Sequence, residues 1–206
     1  DVVQDCGAYP KWGAFLPEFT RQLASGVYDI ANLEFSAVSV ATNTAPTCAY
    51  RGAGRPEATA AIERAMDLFA AEVGMDVADV RRVNLLASEA FPYTTPTGTS
   101  MDSGDYEGSL DRALAVVDYA GLRAEQKRRR EAGDHVQMGI GVATYVEITG
   151  FGGSEYGEVR LRSDGTVLAS TGATPIGTGH HTTWAMIVAD RLGVPLDSIE
   201  VFHGDT

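Results

Sequence analysis

The apolar residues of this chain change their period repeatedly along its length, and that constrains the possible folds more than any other feature. Val38-Ser39-Val40-Ala41-Thr42 alternates with period two, as a half-buried strand does. From Pro56 the period lengthens: Ile62, Met66, Phe69 and Val73 recur at helical spacing, and Glu57 stands where a helix dipole favours an acid. Gly74 stops that helix. Asp76 caps a second helix, Val77 to about Leu86, in which Val80, Val83 and Leu86 share a face while Arg81 and Arg82 point elsewhere. A third begins at Ser109 or Asp111, carries Leu110, Leu114, Val117 and Gly121 or Leu122 in one stripe, and ends in the solvated run Glu125 to Glu131. After Gly133 the pattern is sheet: Met138 to Thr149, Glu158 to Arg162, a hairpin turn at Asp164-Gly165, and a return at Val167 to Thr171. A helix from about His181 to Leu192, stopped by Gly193, leads to a last strand, Ile199 to Phe202. Before residue 50, short apolar runs broken by Gly, Pro, Asn and Thr predict strands joined by turns. Strands and helices mixed so irregularly predict an α+β fold rather than a doubly wound sheet.

Phe91 to Tyr106 holds Pro92, Pro96, Gly98 and Gly104 and sustains no period, so it is the expected linker between domains at 1–106 and 107–206. The 28 acids outnumber the 16 lysines and arginines, for a net charge of −12, and that field repels nucleic acid and anionic membranes. No apolar run reaches the roughly 18 residues of a membrane helix, and no secretory leader opens the chain, so a cytoplasmic location is expected. Cys6 and Cys48 are expected as reduced thiols rather than a disulfide framework. The start at Asp1 and the finish on a strand entering a turn suit a piece of a longer protein.

Two constellations could carry chemistry. In Ala49-Tyr50-Arg51-Gly52-Ala53-Gly54-Arg55-Pro56-Glu57, two glycines and two arginines sit on a turn before a helix, where backbone amides and the helix N-terminus favour an anion. A tight turn with exposed arginines explains the same residues about as well. In Thr174-Pro175-Ile176-Gly177-Thr178-Gly179-His180-His181, a second glycine loop opens a helix, with Asp205 and Thr206 following. Adjacent histidines diverge on any regular element, so no metal held by protein side chains is expected there. CxxC, HExxH, GxSxG and P-loop patterns do not occur.

Taken together, these stretches resemble the large subunits of molybdenum hydroxylases: xanthine dehydrogenase, aldehyde oxidase and aerobic carbon monoxide dehydrogenase. Ala49 to Ala58 is similar to the family's molybdenum-cofactor motif. The likeness extends to Asp5-Cys6-Gly7-Ala8-Tyr9, Asn43-Thr44-Ala45-Pro46, Arg81-Arg82-Val83-Asn84, and Ile187 to Leu196 continuing to His203-Gly204-Asp205-Thr206. The resemblance implies part of two molybdopterin-binding domains from an interior region of a longer subunit. It implies hydroxylation of an aldehyde, purine or N-heterocycle with oxygen from water, and electrons passing through iron–sulfur clusters to FAD on partner subunits or domains of a hetero-oligomer.

The cofactor implied is a molybdenum cofactor in its molybdopterin cytosine dinucleotide form. Arg51 and Gly52 would lie beside molybdenum, Ala53 would face the small-molecule substrate, and Gly177, Thr178 and Gly179 would cradle the pterin. Members that oxidise carbon monoxide carry a copper-holding cysteine in the first loop, which Tyr50 to Arg55 lacks, so carbon monoxide is not the expected substrate. The second loop of the family carries Gln where this chain has Thr178, whose hydroxyl keeps a donor and an acceptor but has less reach. The family's catalytic glutamate matches no residue here. No catalytic residue is therefore assigned, and the isolated piece is expected to be inactive. The contrasting expectation, from Thr178 and the missing base, is a non-catalytic assembly domain that has lost the cofactor.

Overall fold

A computed structural model describes residues 1–148 and 154–204. The chain divides into two compact units, residues 1–148 and the described residues that follow. Among the described residues no helix is long and apolar enough to cross a membrane.

In the first unit, β1 (Val2–Gly7) pairs in parallel with β2 (Ala37–Ala41), Val2 opposite Ala37 and Asp5 opposite Val40. Between them lies α1 (Leu16–Gln22), preceded by a single 3-10 turn, Trp12–Phe15. The sequence predicts only strands and turns in this stretch. Two turns of helix with Pro17 at the N-terminal end are too short to register as a period, and Thr20 and Leu23 bury themselves by packing rather than by pattern.

The long helix α2 (Arg55–Val73) carries Pro56 in its first turn and stops at Gly74, whose φ of 68° gives the left-handed turn expected there. Its buried residues are Arg55, Ala58, Glu63, Met66 and Ala70, while Phe69 and Val73 are left half exposed. Helix α3 (Val77–Asn84) is capped as expected, the Asp76 carboxylate accepting from Ala78 N at 2.8 Å. Its inward face differs from the one the sequence predicts. Val83 is 74% exposed and Arg81 is wholly buried. Arg81 can be buried because its partners are in place: Nε donates to Glu63 Oε2 at 2.7 Å, Nη2 to Asp67 Oδ1 at 2.9 Å and to the Glu63 carbonyl at 3.1 Å, and Nη1 to the Val77 carbonyl at 2.9 Å. Tyr28 and Thr144 donate to the other Glu63 oxygen at 2.6 and 2.7 Å. Burial works against the Arg81 charge, but the Glu63 carboxylate outweighs it and holds the guanidinium above its ordinary range.

The expected linker is ordered structure instead. Within 91–106 the strands β3 (Tyr93–Thr94) and β4 (Ser100–Met101) form an antiparallel hairpin. It is fastened to the end of α1 because the Thr97 and Thr99 hydroxyls donate to the Gln22 carbonyl and Arg21 donates to the Thr97 carbonyl. The single helix expected after Ser109 is two, α4 (Tyr106–Val116) and α5 (Tyr119–Ala132). Asp118 breaks it by adopting φ 48° and capping α5 through the Gly121 amide.

Residues 138–148 keep the burial alternation of a strand, every second residue from Met138 to Ile148 facing inward. Contrary to expectation they form no ladder with any described residue. Among the described residues, no backbone-to-backbone hydrogen bond involves 139–148, and Thr149 lies outside the described residues. The inward row helps close the core: Val146 packs on both apolar clusters, one around Val27, Tyr28, Met66, Ala70 and Val80, the other around Leu23, Ala58, Leu86 and Met101.

The second unit is a three-stranded sheet. β5 (Gly157–Leu161) and β6 (Val167–Thr171) form the expected antiparallel hairpin around Asp164-Gly165, and the Asp164 carboxylate accepts from the Thr166 amide. Helix α6 (His180–Leu192) then crosses over, so that β7 (Ile199–His203) returns parallel to β6.

Candidate functional site

The first loop is built against the N-terminal part of its own unit. The Asp5 carboxylate, at the end of β1, accepts from the Gly7 amide at 2.8 Å and from the hydroxyls of Thr42 at 2.6 Å and Thr44 at 3.2 Å. The Thr42 hydroxyl and then the Gly7 amide hold this carboxyl below its ordinary range. Further along, Thr47 N donates to the Cys6 carbonyl at 3.3 Å, and a Cβ at Gly13 would strike the Thr47 carbonyl. The segment leading to Tyr50 is thereby pinned on β1 and the turn after it.

At the tip, Gly52, Ala53 and Gly54 take φ values of 96°, 48° and 89° in succession. Ala53 N donates to the Tyr50 carbonyl at 2.8 Å and Arg55 N to the Gly52 carbonyl at 3.2 Å. A Cβ at Gly54 would collide with the Leu16 carbonyl, and the Thr20 hydroxyl donates to the Gly54 carbonyl at 2.9 Å. With those carbonyls turned inward, the N–H groups of Arg51, Gly52 and Gly54 donate to no described residue. Tyr50 and Arg51 project outward, Tyr50 88% exposed. A run of positive φ that leaves successive amides open, one exposed arginine and the N-terminus of a 19-residue helix form a cradle suited to an anionic group.

The alternative of a tight turn with exposed arginines fits Arg51 but not Arg55, which is buried, 5% exposed. Its Nη1 lies 3.2 Å from Glu147 Oε1 and 3.4 Å from the Gly52 carbonyl, and the guanidinium carbon sits 5.2 Å from the centroid of the Phe19 ring. The sequence shows Arg55 in the motif but gives no sign of its depth, because Glu147 is remote along the chain.

The second loop is open. Gly177 and Gly179 have φ of 94° and 72°, but among the described residues no heavy atom beyond the chain neighbours lies within 4 Å of a Cβ built at either. Thr178 is exposed, and the N–H groups of Gly177, Thr178 and Gly179 donate to no described residue. Helix α6 starts immediately after, and the Gly179 carbonyl accepts from Thr183 N at 3.0 Å. His180 stacks on Trp184 with centroids 4.7 Å apart, whereas His181 meets His203 edge-on at 4.8 Å. The adjacent rings therefore diverge, and no group of three possible metal-binding side chains occurs among the described residues. Asp205 and Thr206 lie outside the described residues.

A cavity of 790 Å³ in the first unit includes no residue of the first loop; it lies between α4, α5 and residues 138–145, and most of its lining is apolar. Cys6 is buried and Cys48 exposed, both as free thiols.

Residues 1–85 and residues 112–206 match two models described as molybdopterin cofactor-binding domains. All of this chain aligns at 39% identity with 28% of the carbon monoxide dehydrogenase large chain of Hydrogenophaga pseudoflava. All of it also aligns, at 32% identity, with 26% of the 6-hydroxypseudooxynicotine dehydrogenase complex subunit gamma of Paenarthrobacter nicotinovorans. Quinoline 2-oxidoreductase from Pseudomonas putida 86 superposes with a TM-score of 0.86 at 29% identity, over 98% of this chain and 27% of its own. The chain thus spans little more than a quarter of the length of the relatives it matches. With both matched regions and the overall likeness agreeing, the chain belongs to the molybdenum hydroxylase large-subunit family and corresponds to part of its molybdopterin-binding region.

Proposed function

We propose that this chain supplies two of the loops that hold a molybdenum cofactor in an enzyme that hydroxylates an aldehyde, purine or N-heterocycle. The observation that carries the reading is the first loop: open amides at Arg51, Gly52 and Gly54, beside an exposed guanidinium, at the positive end of α2. The cofactor, when bound, supplies the redox chemistry that inserts oxygen from water into a carbon–hydrogen bond. The chain's own residues bind and orient. Arg51 places a positive charge against the anionic group, and the open amides fix its position with donors that need no rearrangement. Ala53 presents only a methyl group toward the substrate, leaving room for a flat ring.

In the other unit, the amides of Gly177, Thr178 and Gly179 would hold the pterin end at the start of α6, as main-chain donors suffice for such a group. The cofactor is read as molybdopterin cytosine dinucleotide, with iron–sulfur and FAD-binding partners in a cytoplasmic hetero-oligomer. We place the boundary between the two cofactor-binding domains between residues 106 and 107, supported only in that this point falls between the matched regions 1–85 and 112–206. No thiol stands among Tyr50 to Arg55, so the reading excludes the copper-dependent oxidation of carbon monoxide.

Metal and nucleotide analysis of the purified full-length complex tests this reading. Stoichiometric molybdenum, with cytidine monophosphate released on acid hydrolysis, is the expected result. A complex that assembles without molybdenum would overturn it in favour of the cofactor-free assembly domain.

A further inference from the structure

We propose that Arg55 is the positioning residue of the first loop, acting through the loop backbone and touching neither cofactor nor substrate. The proposal deepens the cofactor-cradle reading and rests on it. A loop is useful as an anion cradle only if its carbonyls stay turned away from the anion, and the carbonyl that decides this is that of Gly52. It lies between two residues of positive φ, where a peptide flip would exchange an inward carbonyl for an outward one. Such a flip would break the Ala53 amide's bond to the Tyr50 carbonyl and turn an acceptor outward beside the open amides of Gly52 and Gly54, against the anionic group.

Two donors from one residue hold the Gly52 carbonyl inward, the Arg55 amide at 3.2 Å and the Arg55 guanidinium at 3.4 Å. The guanidinium is itself held by Glu147 at 3.2 Å and by the face of Phe19. A planar fork can serve a carboxylate, a carbonyl and an aromatic face at once, which a lysine ammonium cannot. Burial strengthens the arrangement, since water competes poorly for a side chain that is 5% exposed. Glu147 brings the 138–148 segment into the loop's support, so residues far apart in sequence set one peptide orientation. Arg51, the more conspicuous arginine, is exposed and faces outward. The two cations of the motif therefore divide the work: one meets the ligand, and the other keeps the backbone in the shape that meets it.

The test uses the full-length complex carrying Glu147→Gln, Arg55→Lys or Arg55→Met, after the parent complex has been shown to contain molybdenum. A parent without molybdenum would refute the cofactor reading on its own, whatever the variants do. Three measurements follow: amide exchange at Ala53 and Arg55, the kcat and KM for a substrate the parent turns over, and the electron paramagnetic resonance spectrum of the partly reduced molybdenum centre. Exchange at the two amides should rise tenfold or more in Arg55→Met and less in Arg55→Lys. The kcat should fall at least tenfold with KM changed less than threefold, and the spectrum should shift. Glu147→Gln, which keeps the side-chain shape, should fall between parent and Arg55→Met on every measure. Loss of molybdenum from a variant whose melting temperature is unchanged also supports the proposal, since the cradle would have lost its shape. Unaltered exchange, spectrum and kcat in Arg55→Met and Glu147→Gln would overturn it. So would a fall in kcat that merely follows a fall in melting temperature, with the spectrum unchanged.

Discussion

The loop at residues 50–55 and the loop at 174–179 both place glycines at positive φ directly ahead of a helix, yet their surroundings are opposite. Around the first, Gly54 abuts the Leu16 carbonyl, Gly13 abuts the Thr47 carbonyl, and a buried arginine grips the turn from below. Around the second, no described residue beyond the chain neighbours places a heavy atom within reach of a Cβ added at Gly177 or Gly179. The first loop needs glycine for both conformation and space, and the second for conformation alone. The difference shows that one sequence signature, glycines before a helix, covers two physical situations. Packing decides which of them holds.

The comparison extends to the units that carry the loops. The first unit is tied together through a buried charge, the second through a hairpin and one crossover helix. Arg81→Leu should therefore have the largest effect, about 3–5 kcal/mol, because it leaves the Glu63 carboxylate buried without its cation. Denaturant unfolding followed by hydrogen exchange should show that loss in peptides from residues 1–148 and leave those from 154–204 unchanged. Equal loss in both would break the comparison.

Gly54→Ala comes next and is paired with Gly177→Ala. At Gly54 the added methyl meets strain and collision together, about 1–2 kcal/mol for the left-handed φ and about 1–3 more for overpacking. Gly177→Ala incurs only the first, about 1–2 kcal/mol. Matching losses of unfolding free energy in the two variants would erase the distinction between the loops.

Alkaline pH should separate the units without mutation. Burial and then the Glu63 carboxylate push the Tyr28 phenol well above its ordinary range, and burial and then Asp76 push Tyr119 up to about 12. The folded state thus favours the neutral phenols. Their contribution is whole below the usual tyrosine pKa of about 10 and is lost as pH climbs from there through the folded values. Exchange in the first unit should accelerate over that window. The second unit has no buried tyrosine among its described residues and should respond less. A uniform response would count against the assignment.

Smallest is Thr178→Gln in the full-length subunit. The site is exposed and open, so a longer amide can enter without collision and should hold or raise molybdenum occupancy, by about 1 kcal/mol for one added hydrogen bond. A clear drop in bound molybdenum, with the circular dichroism spectrum unchanged, would mean that the open loop is shaped around a small residue.

Much of the fold was legible where the signal is local. Asp76 as a cap, Gly74 and Gly193 as stops and the Asp164-Gly165 hairpin depend on a few neighbouring residues, and the structure has them all. The glycines and Arg51 of the first loop could be picked out for the same reason. What the sequence concealed depends on remote partners. Arg81 reads as a surface residue until Glu63 and Asp67 are seen beside it, and Arg55 until Glu147 and Phe19 are. The hairpin within 91–106 was hidden because two-residue strands have no period, and α1 because two turns barely have one.

The pleated run at 138–148 also bears on how the chain behaves in a tube. Its backbone donors and acceptors stand in a row with no ladder among the described residues, and its one charge, Glu147, is engaged with Arg55. The run holds no proline or lysine, the residues with which proteins blunt an exposed strand edge. Such a row pairs readily with any extended backbone that reaches it, including the same row on another molecule. Handled as these 206 residues alone, the protein should self-associate as its concentration rises, and a lysine at outward-facing Ala143 should delay that association.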